Sequence, residues 1–224
     1  MFEQFTSESV AAGHPDKICD QISDGIVDAC LKIDPHSRVA VETLVTTNKV
    51  ILAGEVTSAG KIDYEKIARQ TIKKLGYTNP AWGFSDQADI EVYIHQQSQD
   101  IAMGVDGGGA GDQGMMFGYA CDETPELMPM PIMLAHQLMF NLDQARENLV
   151  ISYLRPDGKA QVVIDYLDGK PDQVSTIIMA VPYDPQISKD QLEKDLWSKV
   201  IVPAVKKYLP KQTLDKNKIK LIIN

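Results

Sequence analysis

The stretch PDKICDQISDGIVDACLKI, residues 15–33, followed by RVAVETLVTTNKVILAGEVT, residues 38–57, decides the fold class. Pro15 suits the first position of a helix, where its missing N–H has no partner to lose. Ile18, Ile22, Ile26, Cys30 and Ile33 then recur every three or four residues, so a helix would gather them into one apolar stripe. Two runs rich in β-branched residues follow, Arg38–Thr46 and Lys49–Thr57, with a turn around Asn48. A helix followed by a hairpin is the unit from which the rest can be read.

Working outward, a second helix is expected from Asp63 as N-cap through Ile67, Thr71, Ile72 and Leu75, with Gly76 placed to end it. Ile90, Val92 and Ile94 alternate with polar residues as a strand should. The second half repeats the order. Pro131 opens a helix carrying Leu134, Leu138, Leu142, Ala145 and Leu149. Strands are expected at Gln161–Leu167 and Val174–Val181, joined by turn residues Asp168, Gly169, Lys170 and Pro171. Ser188 with Gln191 forms a capping box for a helix to about Tyr208, bent by Pro203, and Lys218–Ile223 closes as a strand.

Both halves thus read helix, strand, strand, helix, strand, a repeat of topology with little repetition of residues. The order predicts an α+β fold with mainly antiparallel sheets and helices on one face. The uncovered faces would have to pack on each other or on another subunit. Seven of the fifteen positions from Gly104 to Gly118 are glycine, which raises the entropy cost of fixing one conformation and suggests a mobile lid. The expected division is an N-terminal repeat domain, 1–100, a gate loop, 101–112, and a central repeat domain, 113–224.

Composition narrows the function. In 224 residues, 44% hydrophobic and 24% charged, the net charge is −9. That charge disfavours nucleic-acid backbones and anionic membranes, and points to small-molecule partners. Cys19, Cys30 and Cys121 show no zinc spacing, and no apolar run approaches the roughly 20 residues of a spanning helix. A cytoplasmic protein is the expectation.

Gly13-His14-Pro15-Asp16-Lys17 is the first candidate for chemistry. A helix start offers unpaired N–H groups and the positive end of the dipole. With His14 and Lys17 as cations and Asp16 as a ligand for a divalent ion, the set suits a polyphosphate with Mg²⁺. An ordinary helix cap explains the same residues. Asp16, Asp20, Asp24 and Asp28 lie four apart, and all but the first read as a solvated face.

Glu42 and Glu55 fall on one face of the hairpin if its turn has two residues, Thr47-Asn48 or Asn48-Lys49. The first turn makes them diagonal neighbours and the second puts them directly opposite. Two carboxylates that close want a cation between them, whereas a solvated face would leave them unimportant. Gly109-Ala110-Gly111-Asp112-Gln113-Gly114 is not a Walker loop, because no Gly-Lys-Ser/Thr follows. Lys159, in Leu154-Arg155-Pro156-Asp157-Gly158-Lys159, reads as a fixed cation for phosphate or as a surface lysine. His36, His95 and His136 show no ligand spacing, and the Met-rich run Met128–Met139 reads as core.

Taken in order, these runs resemble the S-adenosylmethionine synthetases (methionine adenosyltransferases). The resemblance is carried by Thr6-Ser7-Glu8-Ser9-Val10 with Gly13-His14-Pro15-Asp16-Lys17, by Gly109–Gly114 with Phe117-Gly118-Tyr119-Ala120, and by Leu154-Arg155-Pro156-Asp157 with Lys159. It implies a reaction in which the sulfur of L-methionine attacks C5′ of ATP, displacing triphosphate that is then cut to pyrophosphate and phosphate. It further implies that His14 assists departure of the triphosphate and that Lys159 grips the phosphates beside Asp157. Asp16 would hold Mg²⁺ and Glu42 would hold K⁺. Glu55 and Gln97 would contact methionine, and Asp112 would lie beside both nucleoside and methionine. Family members have three βαββαβ domains and assemble as dimers or tetramers with active sites between subunits. Against that pattern, the second repeat is expected to close at Asn224 without the family's third domain, Gln99 stands where the family usually has Pro, and the Gly-rich gate is shorter than usual. A catalytically incomplete chain acting as an interacting or regulatory subunit is the alternative reading.

Overall fold

A computed structural model of the chain describes residues 2–96, 113–210 and 218–224. Two compact units emerge, one built from Pro15–Phe117 and the other from Met1–His14 with Gly118–Asn224. The expected gate, Gln97 and Asp112 lie outside the described residues.

In the first unit, helix α1 (Pro15–Ile33) is followed by strands β2 (Arg38–Thr46) and β3 (Lys49–Thr57), helix α2 (Tyr64–Lys74) and strand β4 (Asp89–His95). Ile18, Ile22, Ile26 and Cys30 are buried, as the stripe required. Ile33, expected to continue that stripe, is 51% exposed because the helix ends there. The Asp63 carboxylate accepts the Lys66 N–H at 3.0 Å and starts α2, while Gly76, at φ +96°, lets the chain turn out of it. The sheet order is β2-β3-β4, antiparallel then parallel.

The second unit contains strand β1 (Phe2–Val10), helix α3 (Met130–Glu147), strands β5 (Lys159–Leu167) and β6 (Lys170–Ala180), helices α4 (Lys189–Leu196) and α5 (Val202–Tyr208), and strand β7 (Lys220–Ile223). Its sheet order is β1-β5-β6-β7, with β7 parallel to β6 and the other pairs antiparallel. Helix α3 packs against β1 and β5, burying Leu134, Leu138, Leu142 and Ala145. The fold is therefore α+β with antiparallel pairing dominant, as expected.

Three local expectations need correction. Leu149, expected on the buried stripe of α3, lies beyond its end at φ +56° and is exposed. The turn between β5 and β6 is Asp168-Gly169 alone, both at positive φ, and Lys170 and Pro171 already belong to β6. Ser188 Oγ does accept the Gln191 N–H at 3.2 Å, but the Gln191 side chain donates to Asp195, so only half of the capping box forms. A π-helical stretch, Trp197–Ile201, lies between α4 and α5 just before Pro203, which occupies the first turn of α5.

Strand β1 is the element that sequence patterning did not reveal. Phe2 and Phe5 have opposite parity, so alternation does not announce a strand. It leaves its own neighbours in sequence and pairs along its whole length with β5, from Phe2 opposite Leu167 to Val10 opposite Lys159.

Candidate functional site

The residues that end β1 and those that begin β5 meet. Val10 closes the strand, and the Ala11 N–H donates to the Gly158 carbonyl at 2.8 Å. The Ala12 N–H donates to the Asp143 carboxylate at 2.9 Å, and the His14 N–H returns to the Ala11 carbonyl at 3.0 Å. These bonds fold residues 11–14 into a tight turn against Pro156. A Cβ on Gly13 would lie 2.4 Å from the Pro156 carbonyl oxygen, and one on Gly158 would lie 2.6 Å from Leu142 Cδ2. Gly13 is thus required by close approach to backbone, whereas at Gly158 the end of the Leu142 side chain is what would have to shift.

His14, Asp157 and Lys159 line one cavity of about 740 Å³. The rest of its lining is largely apolar and includes Ala180, Val181, Pro182, Tyr183 and Pro185. The Arg155 N–H donates to the Pro182 carbonyl at 2.9 Å and ties the loop before β5 to this wall. Asp157 Oδ1 accepts the Gly158 N–H at 2.7 Å, which fixes the carboxylate at the cavity edge. Lys159 Nζ lies 2.9 Å from Glu8 Oε2 of β1, both side chains being about half exposed. A lining that combines His14 and Lys159 with apolar residues suits an amphipathic ligand carrying anionic groups.

Sequence reasoning missed two partners here. Glu8 reaches Lys159 only because Val10 pairs with Lys159, which places residues 8, 10, 159 and 161 on one face. Ser9, buried on the other face, bonds His136 Nδ1 of α3 at 2.8 Å, so His136 is a structural residue as expected. Recognition of β1 as a strand would have found both.

The other candidates fall in the first unit. Asp16 lies in the first turn of α1. Among the described residues no group of three or more His, Cys, Asp and Glu side chains could hold a metal ion unaided. Asp16 would supply one carboxylate to a divalent cation there, with the remaining ligands coming from phosphates and water. Glu42 and Glu55 occupy one face of the hairpin. The Thr46–Lys49 pair closes a two-residue Thr47-Asn48 turn, so Glu42 pairs with Ala53 and Glu55 with Ala40. The two carboxylates are diagonal neighbours, Glu42 exposed and Glu55 half-buried, and a monovalent cation would relieve their repulsion.

Among the described residues no helix is long and apolar enough to cross a membrane. Comparison with known families gives two matches. Residues 3–99 match the S-adenosylmethionine synthetase N-terminal domain, and residues 107–224 match the central domain of the same enzymes. Together they span nearly the whole chain, and the chain belongs to the S-adenosylmethionine synthetase family.

Proposed function

We propose that this chain forms S-adenosylmethionine from ATP and L-methionine. The observation that carries the reading is the shared cavity of His14, Asp157 and Lys159, residues far apart in sequence and held together by the Gly13–Pro156 approach. In the proposed reaction a sulfur lone pair of methionine attacks C5′ of the ribose. The C5′–O bond breaks, its electron pair leaves with triphosphate, and the sulfur becomes a sulfonium. Water then cleaves triphosphate to pyrophosphate and phosphate.

A thioether is a weak neutral nucleophile, so acceleration must come from alignment and from stabilising the charge on the leaving group. His14 donates to the departing oxygen and Lys159 exchanges Glu8 for phosphate oxygens. Asp157 borders the same cavity beside them. Asp16 is the residue to hold Mg²⁺, which supplies charge neutralisation on the phosphates when bound. Glu42 is the residue for K⁺. Glu55 and Gln97 take methionine, and Asp112 stands beside nucleoside and methionine. A homodimer or homotetramer with sites between subunits in the cytoplasm completes the proposal.

The phosphorus balance tests it. With ATP, methionine, Mg²⁺ and K⁺, one pyrophosphate and one phosphate per turnover are expected, with neither formed when methionine is omitted. ADP as the product would instead assign a phosphotransferase. The second reading is an interacting subunit completed by another chain; what favours it is that, among the described residues, no strand pairs with the outer edge of β2.

A further inference from the structure

Asp143 stands apart from the apolar stripe of α3. Leu134, Leu138, Leu142 and Ala145 form the face that packs on β1 and β5, and Asp143 follows Leu142 directly. Aspartate is a poor residue for a helix interior, and a solvated carboxylate would be the ordinary result there. Its side chain is instead only 16% exposed. Oδ2 accepts the Ala12 N–H at 2.9 Å, and Oδ1 lies 3.7 Å from Nη2 of Arg146, one turn further along the helix and 12% exposed. A carboxylate withdrawn from water is costly unless it is paired, and a backbone N–H with a guanidinium nearby meets that need.

Ala12 lies within the turn that ends in His14. Residues 11–14 fall between β1 and α1 and belong to neither. They are held by the Gly158 carbonyl, which accepts from Ala11, by the close approach of Gly13 to Pro156, and by the Asp143 carboxylate. The first two holds come from the loop that carries Asp157, so by themselves they would let turn and loop shift together. The third comes from an 18-residue helix anchored by its buried residues. The preceding residue of that helix supports the loop, because Leu142 Cδ2 is the atom that a Cβ on Gly158 would strike. Two neighbouring residues of α3 thus set the His14 turn and the Asp157–Lys159 loop against one rigid element. Asp143 is not among the residues lining the His14 cavity, so its influence there passes through the turn.

We propose that Asp143 is a positioning residue for His14: by gripping the Ala12 N–H from α3, it fixes the turn that presents the imidazole to the cavity shared with Asp157 and Lys159. The inference rests on the proposed function in one respect, that His14 serves the departing triphosphate. Asp143 touches no reacting atom, and its contribution is alignment. A displacement of about 1 Å between a catalytic group and its target can cost about 10²-fold in rate. Truncating Asp143 takes this acceptor from the Ala12 N–H and frees the turn to move relative to α3. Asparagine keeps an acceptor oxygen in place and loses only the assistance of the charge.

The test compares Asp143→Asn and Asp143→Ala in the intact chain by two readouts. Asp143→Leu, which keeps the volume without an acceptor, replaces Asp143→Ala if the latter does not fold. The first readout needs no nucleotide: it is the ¹H–¹³C resonance of the His14 ring, identified by its loss in His14→Ala. That resonance should move toward the position of a free histidine in Asp143→Ala and stay in place in Asp143→Asn. The His136 resonance, from a ring on the same helix bonded to Ser9, should stay in place in both. The second readout is adenosyl transfer with ATP, methionine, Mg²⁺ and K⁺. Asp143→Ala should lower kcat by about 10–10²-fold with the KM for methionine little changed, and Asp143→Asn should stay within about threefold of the parent. Added to His14→Ala, the same truncation should change the rate by less than about twofold, because its effect runs through His14. An unmoved His14 resonance in Asp143→Ala, an equal displacement of His136, or rate losses that multiply with His14→Ala would each overturn the proposal. A parent chain that makes no S-adenosylmethionine would count against the proposed function instead, and the His14 resonance would still decide the role of Asp143.

Discussion

Gly13 and Pro156 are separated by most of the chain yet touch so closely that no Cβ fits between them: one built on Gly13 would sit 2.4 Å from the Pro156 carbonyl oxygen and 2.6 Å from its Cβ. This contact holds the His14 turn against the loop that carries Asp157 and Lys159. Gly13→Ala should therefore cost about 1–3 kcal/mol through overpacking against backbone that cannot yield. Thermal unfolding should show a loss of several degrees, and ATP affinity should fall with it. An unchanged melting temperature would mean that the two loops move apart freely.

His14→Ala tests the reacting end of the cavity. His14 lies in a turn outside the apolar core, so its removal should leave the fold intact. Removing one donor to a leaving group commonly costs about 10²–10³ in rate. A loss of that size in adenosyl transfer, with an unchanged melting curve, is expected. A near-normal rate would take His14 out of the reaction.

Lys159→Met separates phosphate binding from methionine binding. Lys159 lines the cavity and pairs with Glu8 at 2.9 Å, an exposed ion pair of little worth to stability. The variant should stay folded, and its affinity for ATP should fall much more than its affinity for methionine. Equal effects on both, measured by titration calorimetry, would make the residue structural.

A buried carboxylate gives a pH signature away from the cavity. Burial pushes the Asp195 carboxyl up, but hydrogen bonds from Lys199, Gln191 and the Tyr153 hydroxyl outweigh it and hold it at about 2. A carboxyl depressed in the folded state stabilises above its unfolded value, near 3.9, and that contribution is lost as pH falls through about 2. Asp195→Asn should thus be less stable than the parent at neutral pH, with the gap closing between about pH 4 and 2. A gap that stays constant across that range would show that the charge is unimportant.

Much of this was legible in the residues. The stripe from Ile18 to Cys30, the caps at Asp63 and Ser188 and the paired order of the halves are local signals, and they suffice for helices and hairpins. The parity of Glu42 and Glu55 required only a two-residue turn, and Asn48, at φ +51°, helps to form one. What could not be read was non-local. The pairing of β1 with β5 depends on a partner some 160 positions away, and with it went the Glu8–Lys159 and Ser9–His136 contacts. The candidate cavity likewise became visible only once Gly13 and Pro156 met; the motifs named its residues but not their proximity.

The most direct measurement is mass spectrometry of the chain incubated with ATP, isotopically labelled L-methionine, Mg²⁺ and K⁺, alone and mixed with the C-terminal domain of a family member. Labelled S-adenosylmethionine in either mixture, formed about 10²–10³-fold more slowly by His14→Ala, is expected. Its absence from both, or a product retaining labelled methionine unchanged while ADP accumulates, would contradict the assignment.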